Sequence, residues 1–589
     1  MPDNDLSIIQ NLQDRKALGF TRWHGFAARA DENSLHWLPV GGTCDPRQLD
    51  ILGRSPLHYA ATRMTDLSRG RAISYWLNLG ADPNTQDRLG FTPLHYAAYS
   101  GCSNAVQELL QAGAVTEAQG RDRISSLHYA VYTGHVDVVR LLIDAGAGIE
   151  TQDCANRTPL HYAVLNGSAE VLEILLEKGA SRRARDNCGR TPLHFKTLPK
   201  YNGDHISVLR TLLEVVPRQR MLLLAAKDRE GWTALHVACR AGDCAGLRLF
   251  AELKADLVAR DNRNKTPLHL AVRGGHGLTA RILICEFQGD VEAKDSKDRT
   301  PLHSAAKLGH ETTARMLISE FGADFEAKDI YGWTPLHLAI INGQETTARL
   351  LIAECKANVE AQDDFERNAL NLSTYYGRET IVRTLIAESK ANIEAKDDQG
   401  STALHVATMR GQETIMRMLI AESKADVEAK NNEGQTPLHL SVIYAQGANT
   451  RMLIAEFKAN VEAKDNKGKT SLHWSAHYGQ ETTTRMLITE FKANVEAKDG
   501  QGSTPLHLSL VAGQGAVTRM LIAEFKADIE AKDVEGQTPL HFAAIRNQEW
   551  AMRMLIDEFK ADVDALDNYG RTAQYYFDLD PFQDRRKKE

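Results

Sequence analysis

Apolar positions along most of this chain fall in two short helical clusters per period, divided by a glycine and followed by a polar stretch. In the period that starts at Asp329, the polar turn Asp329-Ile-Tyr-Gly-Trp333 leads into Thr334 as N-cap and Pro335, whose missing N–H costs nothing in a first helical turn. The run LHLAI then predicts a short helix that Gly343 breaks. A second helix follows over ETTARLLIAE, with its apolar face on Ala348, Leu350, Leu351 and Ile352 and with Glu345 one turn from Arg349. The same spacing recurs as Glu311/Arg315, Glu379/Arg383, Glu413/Arg417, Glu481/Arg485 and Glu549/Arg553. Two helices this short cannot enclose a core, so each unit must bury its apolar face on its neighbours.

The period is read from the tetrapeptide T-P-L-H and its variants. Its histidines are His58, His95, His128, His161, His194, His236, His269, His303, His337, His405, His439, His473, His507 and His541, and Asn371 fills the one missing slot. The numbering advances by 33 from slot to slot through most of the first half, as from His95 to His128, and by 34 from His303 onward, as from His303 to His337. Longer gaps precede His95 and His236. A period in this range means a solenoid.

The stretches GFTPLHYAAYSGCSNAVQELLQAGA (Gly90 to Ala114) and NRTPLHYAVLNGSAEVLEILLEKGA (Asn156 to Ala180) resemble the ankyrin-repeat pattern, and the array is similar in style to those of fungal ankyrin proteins. The resemblance runs from about residue 50 to 577. It implies an all-α ankyrin-repeat solenoid, stacked helix-turn-helix units with β-hairpin fingers, whose members bind proteins. Departures from the pattern predict an irregular N-terminal capping segment over 1–50, a first sub-array over 51–195, an insert-bearing seam repeat over 196–231, a second sub-array over 232–567 and a C-terminal cap with a basic tail over 568–589.

Composition narrows the function classes. Among 589 residues, 43% are apolar and 25% charged, with a net charge of -7, which fits a folded chain and disfavours bulk nucleic-acid binding. No apolar run is long enough to span a membrane and MPDNDLSIIQNLQDRK lacks a signal peptide's features, so a cytoplasmic or nuclear location is expected. Eight scattered cysteines without a CxxC read as reduced thiols. The repeated histidines stand a layer apart, far beyond the ~2 Å reach of a shared metal, and in the resemblance they bond neighbouring turn backbone. The other seven, His24, His36, His135, His205, His276, His310 and His477, are expected at the surface. Gly468-Lys469-Thr470 imitates a phosphate loop, but Ala463 stands where that loop needs glycine. No metal, cofactor or catalytic set is expected.

What the resemblance offers for recognition is the concave face of fingers and first helices. The residues there are Arg54, Phe91, Tyr99, Tyr132, Arg157, Arg190, Trp232, Arg240, Arg299, Tyr331, Trp333, Arg367, Tyr375 and Tyr376, cationic and aromatic types suited to an acidic or aromatic-bearing protein or peptide. Tyr375 and Tyr376 share the repeat that has lost its histidine. The alternative is an unusual enzyme or small-molecule binder with a pocket between the N-terminal segment and the first repeats, where Trp23, His24, Asp31, His36, Trp37, Cys44 and Asp45 crowd together. Finally, early repeats end their second helix on Gly80, Gly113, Gly146 or Gly179, whereas later ones place Lys356, Lys390, Lys424, Lys458, Lys492, Lys526 or Lys560 there after one added residue. The addition is expected to spare these lysines the left-handed conformation, with Phe457, Phe491, Phe525 and Phe559 packing between layers.

Overall fold

The computed structural model describes residues 45–62, 69–195 and 205–578, together with His24 and Ala27. They fall in two compact units, Met1–Ser296 and Lys297–Glu589, and each is a run of stacked helix pairs. No strand occurs among the described residues. Successive fingers are joined by single backbone bonds, such as Asp364 N–H to Tyr331 O at 3.2 Å.

In the repeat read above, the first helix is Pro335–Ile341, capped by Thr334. Gly343 then takes φ 69°, and the second helix, Glu345–Arg349, continues as one π-helical turn, Leu350–Glu354. The inter-helix glycine serves packing as well as backbone freedom. A Cβ on Gly309 would lie 2.1 Å from the Gln344 side chain of the next repeat, and one on Gly101 would lie 2.4 Å from the His135 ring.

The repeat histidines are buried, and nearly all of them are seen to hold two repeats together. His95 Nδ1 accepts the Thr92 N–H at 3.1 Å, so the proton sits on Nε2, which donates to Ile124 O of the following finger at 3.1 Å. His58 to Phe91 O (3.0 Å), His303 to Trp333 O (3.1 Å), His439 to Lys469 O (3.0 Å) and His541 to Arg571 O (3.1 Å) repeat the bond. Burial holds nine of these imidazoles far below their usual range, at about 4: His58, His95, His128, His161, His303, His337, His405, His473 and His507.

The sequence expectation of surface histidines needs correction. His24 is 0% exposed, donates to Arg54 O at 2.9 Å and stands one period before His58, just as the fully buried Ala27 stands one period before Ala61. These two positions behave as the histidine and alanine of a further repeat ahead of the first one counted. His135, His276 and His310 are second-helix N-caps, and the rings of His135 and His276 lie against the preceding glycines.

The decapeptide EFKANVEAKD, Glu456 to Asp465, shows how adjacent repeats are fastened. Glu456 pairs with Arg417 of the previous repeat at 3.0 Å, and Phe457 and Val461 pack on the core. Asn460 Oδ1 accepts the Glu462 N–H at 3.0 Å. Glu462 reaches the Asn494 N–H of the next repeat at 2.7 Å, and Lys464 Nζ donates to Lys498 O at 2.7 Å. Asp465 Oδ1 closes the finger by accepting the N–H groups of Lys467 and Lys469, both at 2.9 Å. Among the expected intra-helix pairs, Glu311/Arg315, Glu413/Arg417, Glu481/Arg485 and Glu549/Arg553 form. The Arg-to-Glu pair across repeats, as in Arg451–Glu490 and Arg519–Glu558, was not anticipated from the sequence.

The lysines contradict the expectation made for them. Lys356, Lys390, Lys424, Lys458, Lys492, Lys526 and Lys560 all take φ between 52° and 61°. The added residue is absorbed upstream instead. Ala357 N–H reaches back six residues to Leu351 O at 2.9 Å, where early repeats reach back five, as in Ala114 to Leu109 O at 2.9 Å. The chain still has to reverse after the helix, so the left-handed residue is kept at a cost of about 1 kcal/mol. Lys458, Lys492 and Lys526 offset part of it by donating Nζ to the last carbonyls of their own helices, at 2.8, 2.8 and 2.9 Å. The four phenylalanines are half-buried against the core, as expected.

The longest departure from the period changes the local structure. Pro192–His194 is a single 3₁₀ turn, residues 196–204 lie outside the described residues, and the extra helix Pro217–Leu224 precedes the next finger.

Two outcomes follow from this chemistry. Because folding depresses the imidazole pKa from 6.5, the stability tied to neutral histidine is complete above pH 6.5 and is lost as pH falls towards about 4. Thermal melting of the full chain should therefore drop steeply between pH 6.5 and 4, and a melting temperature flat across that window would contradict the neutral state of the buried imidazoles. Replacing Lys458, Lys492 and Lys526 together by glycine should raise the unfolding free energy measured in urea, by up to about 1 kcal/mol per site.

Candidate functional site

The side chains named for recognition divide by what holds them. Arg54, Arg157, Arg190 and Arg367 each pair with the aspartate four residues earlier in their own finger, at 2.7 Å. Each guanidinium also lies over a ring, Arg54 on Tyr59, Arg157 on Tyr162, Arg190 on Phe195 and Arg367 on Phe365. Trp232 Nε1 and Trp333 Nε1 donate to Asp261 and Asp363 of the following repeats at 3.0 and 3.1 Å, and Arg299 binds Asp329 in the same way at 2.8 Å. Burial pushes the Asp363 carboxyl up, but the Arg367 and Trp333 donors outweigh it and hold it below the usual carboxylate range.

Exposure separates these residues further. Arg54, Phe91 and Tyr132 are 3%, 2% and 4% exposed, which leaves a partner almost no side-chain surface. Phe91 packs edge-on against Tyr129 at 5.7 Å and Tyr132 against Tyr162 at 6.0 Å. Tyr99, Arg157, Arg190, Trp232, Arg240, Arg299, Trp333 and Arg367 are intermediate, while Tyr331, Tyr375 and Tyr376 are exposed.

The open aromatic surface gathers around one repeat, residues 363–376. Phe365 stands exposed on its finger, and Tyr375 and Tyr376 meet edge-on at 5.1 Å where its first helix ends. Arg410, which occupies the Tyr376 slot of the next repeat, lies 4.2 Å from the centre of the Tyr375 ring and donates Nε to Tyr375 O at 3.3 Å. The same slot then carries exposed Tyr444 and Tyr478, the latter stacked on Trp474 at 5.9 Å. Arg410 and Trp474 were not singled out from the sequence, although the repeat register places Arg410 one period after Tyr376.

This repeat departs from its neighbours at the histidine and at the finger glycine. Asn371 replaces histidine, and its Nδ2 reaches Ser401 O only at 3.5 Å, while its Oδ1 is buried with no partner. Asn368 replaces the threonine cap, its Oδ1 accepting the Asn371 N–H at 2.9 Å, and the Thr374 hydroxyl is buried without a partner. Glu366 takes φ 58° at the finger position where neighbouring repeats have Gly332 and Gly400.

A second open groove, of about 600 Å³, lies along the second helices between Gly515 and Glu558. Trp550 lies over Gly515 there, and the groove's arginines are paired, Arg519 with Glu558 and Arg553 with Glu549. Trp23, Asp31, His36, Trp37 and Cys44, named for an N-terminal pocket, lie outside the described residues, as does the basic run Arg585 to Lys588. Among the described residues no group of three or more His, Cys, Asp or Glu could hold a metal ion, and no helix is long and apolar enough to cross a membrane.

Stacked helix pairs joined by capped histidines define a repeat-solenoid protein. Models of ankyrin repeats in sets of three copies match overlapping windows from residue 24 to 533, and a single ankyrin-repeat model matches 535–565. The chain belongs to the ankyrin-repeat family. A 55-residue stretch is 42% identical to the ADP-ribosylation factor GTPase-activating protein AGD4 of Arabidopsis thaliana, and one of the same length is 38% identical to AGD2 of that plant. Each match covers 9% of this chain and 7% of the relative. The crystal structure of the ankyrin repeat domain of Bcl-3, described as a unique member of the IkappaB protein family, is 30% identical, with a TM-score of 0.33, and the match covers 36% of this chain and 94% of that one.

Restoring the common histidine should strengthen the atypical repeat. Asn371→His should raise the stability of the full chain by about 1 kcal/mol in chemical denaturation. A decrease would show that the asparagine is better adapted to this repeat than the structure implies.

Proposed function

We propose that the chain is a non-catalytic scaffold that binds a partner protein through its finger and first-helix face, with residues 363–376 and Arg410 as the principal contact. The observation that carries this reading is the coincidence in one repeat of these departures and open aromatic surface. Exposed Phe365, Tyr375 and Tyr376 stand where the histidine and the finger glycine are missing and asparagine has taken over the helix cap. Departures from local structural rules concentrate at functional sites, and Tyr, Trp and Arg dominate interface energetics. Ankyrin repeats generally serve as protein-interaction scaffolds, which supports the same reading.

The partner's chemistry follows from the surface. Tyr375, Tyr376, Tyr444 and Tyr478 offer ring faces to apolar or aromatic side chains, and Arg410 beside Tyr375 offers a guanidinium to a carboxylate. A segment carrying both aromatic and acidic residues fits best.

Affinity capture with the intact protein tests the reading. Tyr375→Ala with Tyr376→Ala should weaken the captured partner at least tenfold, about 1.4 kcal/mol, with an unchanged melting temperature because both side chains are exposed. A partner set retained in full by this variant and by Arg410→Ala would refute the assignment.

A further inference from the structure

Around the seam repeat the charge is opposite to that of the chain as a whole. The described residues 178–195 and 205–229 hold ten Lys and Arg against three Asp and Glu in a chain whose formal net charge is -7, and of these cations Lys178 pairs with Asp144 and Arg210 with Glu252 outside the two stretches. Folding brings these cations together. Arg185 Nη1 donates to Lys227 O at 2.7 Å, Arg220 Nε donates to Leu213 O at 2.9 Å, and Arg229 N–H bonds Cys188 O at 2.9 Å. Bonds to carbonyl oxygens orient a guanidinium without cancelling its charge. Arg182, near Glu214, has its Nε buried with no partner, and Arg183, Arg218 and Arg229 are exposed.

Apolar surface lies among these charges. The helix Pro217–Leu224 buries Leu223 and Leu224, while Val216, Met221 and Leu222 are 60%, 63% and 50% exposed. Exposed Arg218 lies on the same helix as Met221 and Leu222, so this helix presents charge and apolar surface together. A phosphate backbone has no use for the aliphatic part. Stable membrane anchoring takes a longer apolar face than one short helix anchored on its other side provides. Carboxylates match guanidinium geometry, and a side chain or two of a peptide would cover the exposed turn.

We propose that this seam surface, built on Arg183, Arg218, Arg229, Met221 and Leu222, docks an acidic peptide segment of a partner protein that carries leucine-like side chains between its carboxylates. The surface is separate from the tyrosine-bearing repeat and does not depend on the reading given for it.

Fluorescence anisotropy on the intact protein, with a labelled peptide of repeated Glu-Glu-Leu as probe, tests this. Arg183→Glu with Arg218→Glu should weaken binding at least tenfold, and Met221→Ser with Leu222→Ser should weaken it about fivefold. A Glu-Glu-Gly peptide should bind more weakly than the probe, and Tyr375→Ala with Tyr376→Ala should leave probe binding unchanged. Equal binding by the charge-reversed variant, equal binding of the glycine peptide, or preference for duplex DNA or phosphatidylserine vesicles over the probe would overturn the proposal. Arg183→Gln with Arg218→Gln provides a second variant should charge reversal lower the melting temperature; it should weaken the probe in the same direction, and unchanged binding would overturn the proposal.

Discussion

A neutral imidazole held between one repeat's N-cap and the next repeat's finger carbonyl is the contact on which the remaining structure depends. Its Nδ1 accepts from the cap residue's N–H, which leaves Nε2 as the donor, so one ring fixes both the start of a helix and the distance to the next unit. The ring is buried, and a second proton would set an N–H against the cap's N–H in a place that water cannot reach. Small helices that cannot enclose a core are thereby registered on one another, and their apolar faces form continuous clusters, such as the one from Ala306 to Ala493.

The connector adds a second set of fastenings on the outside of that register. Within EFKANVEAKD, Glu456, Glu462 and Lys464 all bond to another repeat, while Asn460 and Asp465 close local turns. The exposed pairs are individually weak and salt-screened. Their value lies in repetition from unit to unit, and the seam keeps them at a longer offset, as in Arg210–Glu252 and Arg185 Nη1 to Lys227 O, although its first helix is shortened to one turn and an extra helix, Pro217–Leu224, is added.

Much of this was legible in the sequence because the determinants are local. Thr334 and Pro335 start a helix, Gly343 ends it, and the face on Ala348 and Leu351 is buried as the periodicity indicates. What escaped were contacts that depend on the offset between repeats. The Arg451 to Glu490 pair joins one repeat to the end of the next, and nothing in either helix alone points to it. His24 escaped because its flanking residues, Arg22-Trp23, do not resemble T-P-L-H, although its spacing from His58 was available. The lysine ends were misjudged because an added residue was assumed to remove the need for a left-handed turn, whereas it widened the last helical turn and left the reversal in place. For the candidate site, residue type identified the tyrosines, but type alone did not distinguish buried Phe91 and Tyr132 from exposed Tyr375.

In an array this uniform, a surface becomes specific only where a repeat differs from its neighbours. A partner that met identical units could slide by one period and find the same contacts again. The asparagine repeat and the seam break that degeneracy by different means. The first gives up the histidine bond and the finger glycine and exposes Phe365, Tyr375 and Tyr376, so its contacts exist at one register only. The second concentrates positive charge around Met221 and Leu222 on a helix that regular repeats lack. Only at such departures does a unit offer a surface that is not found again one period away.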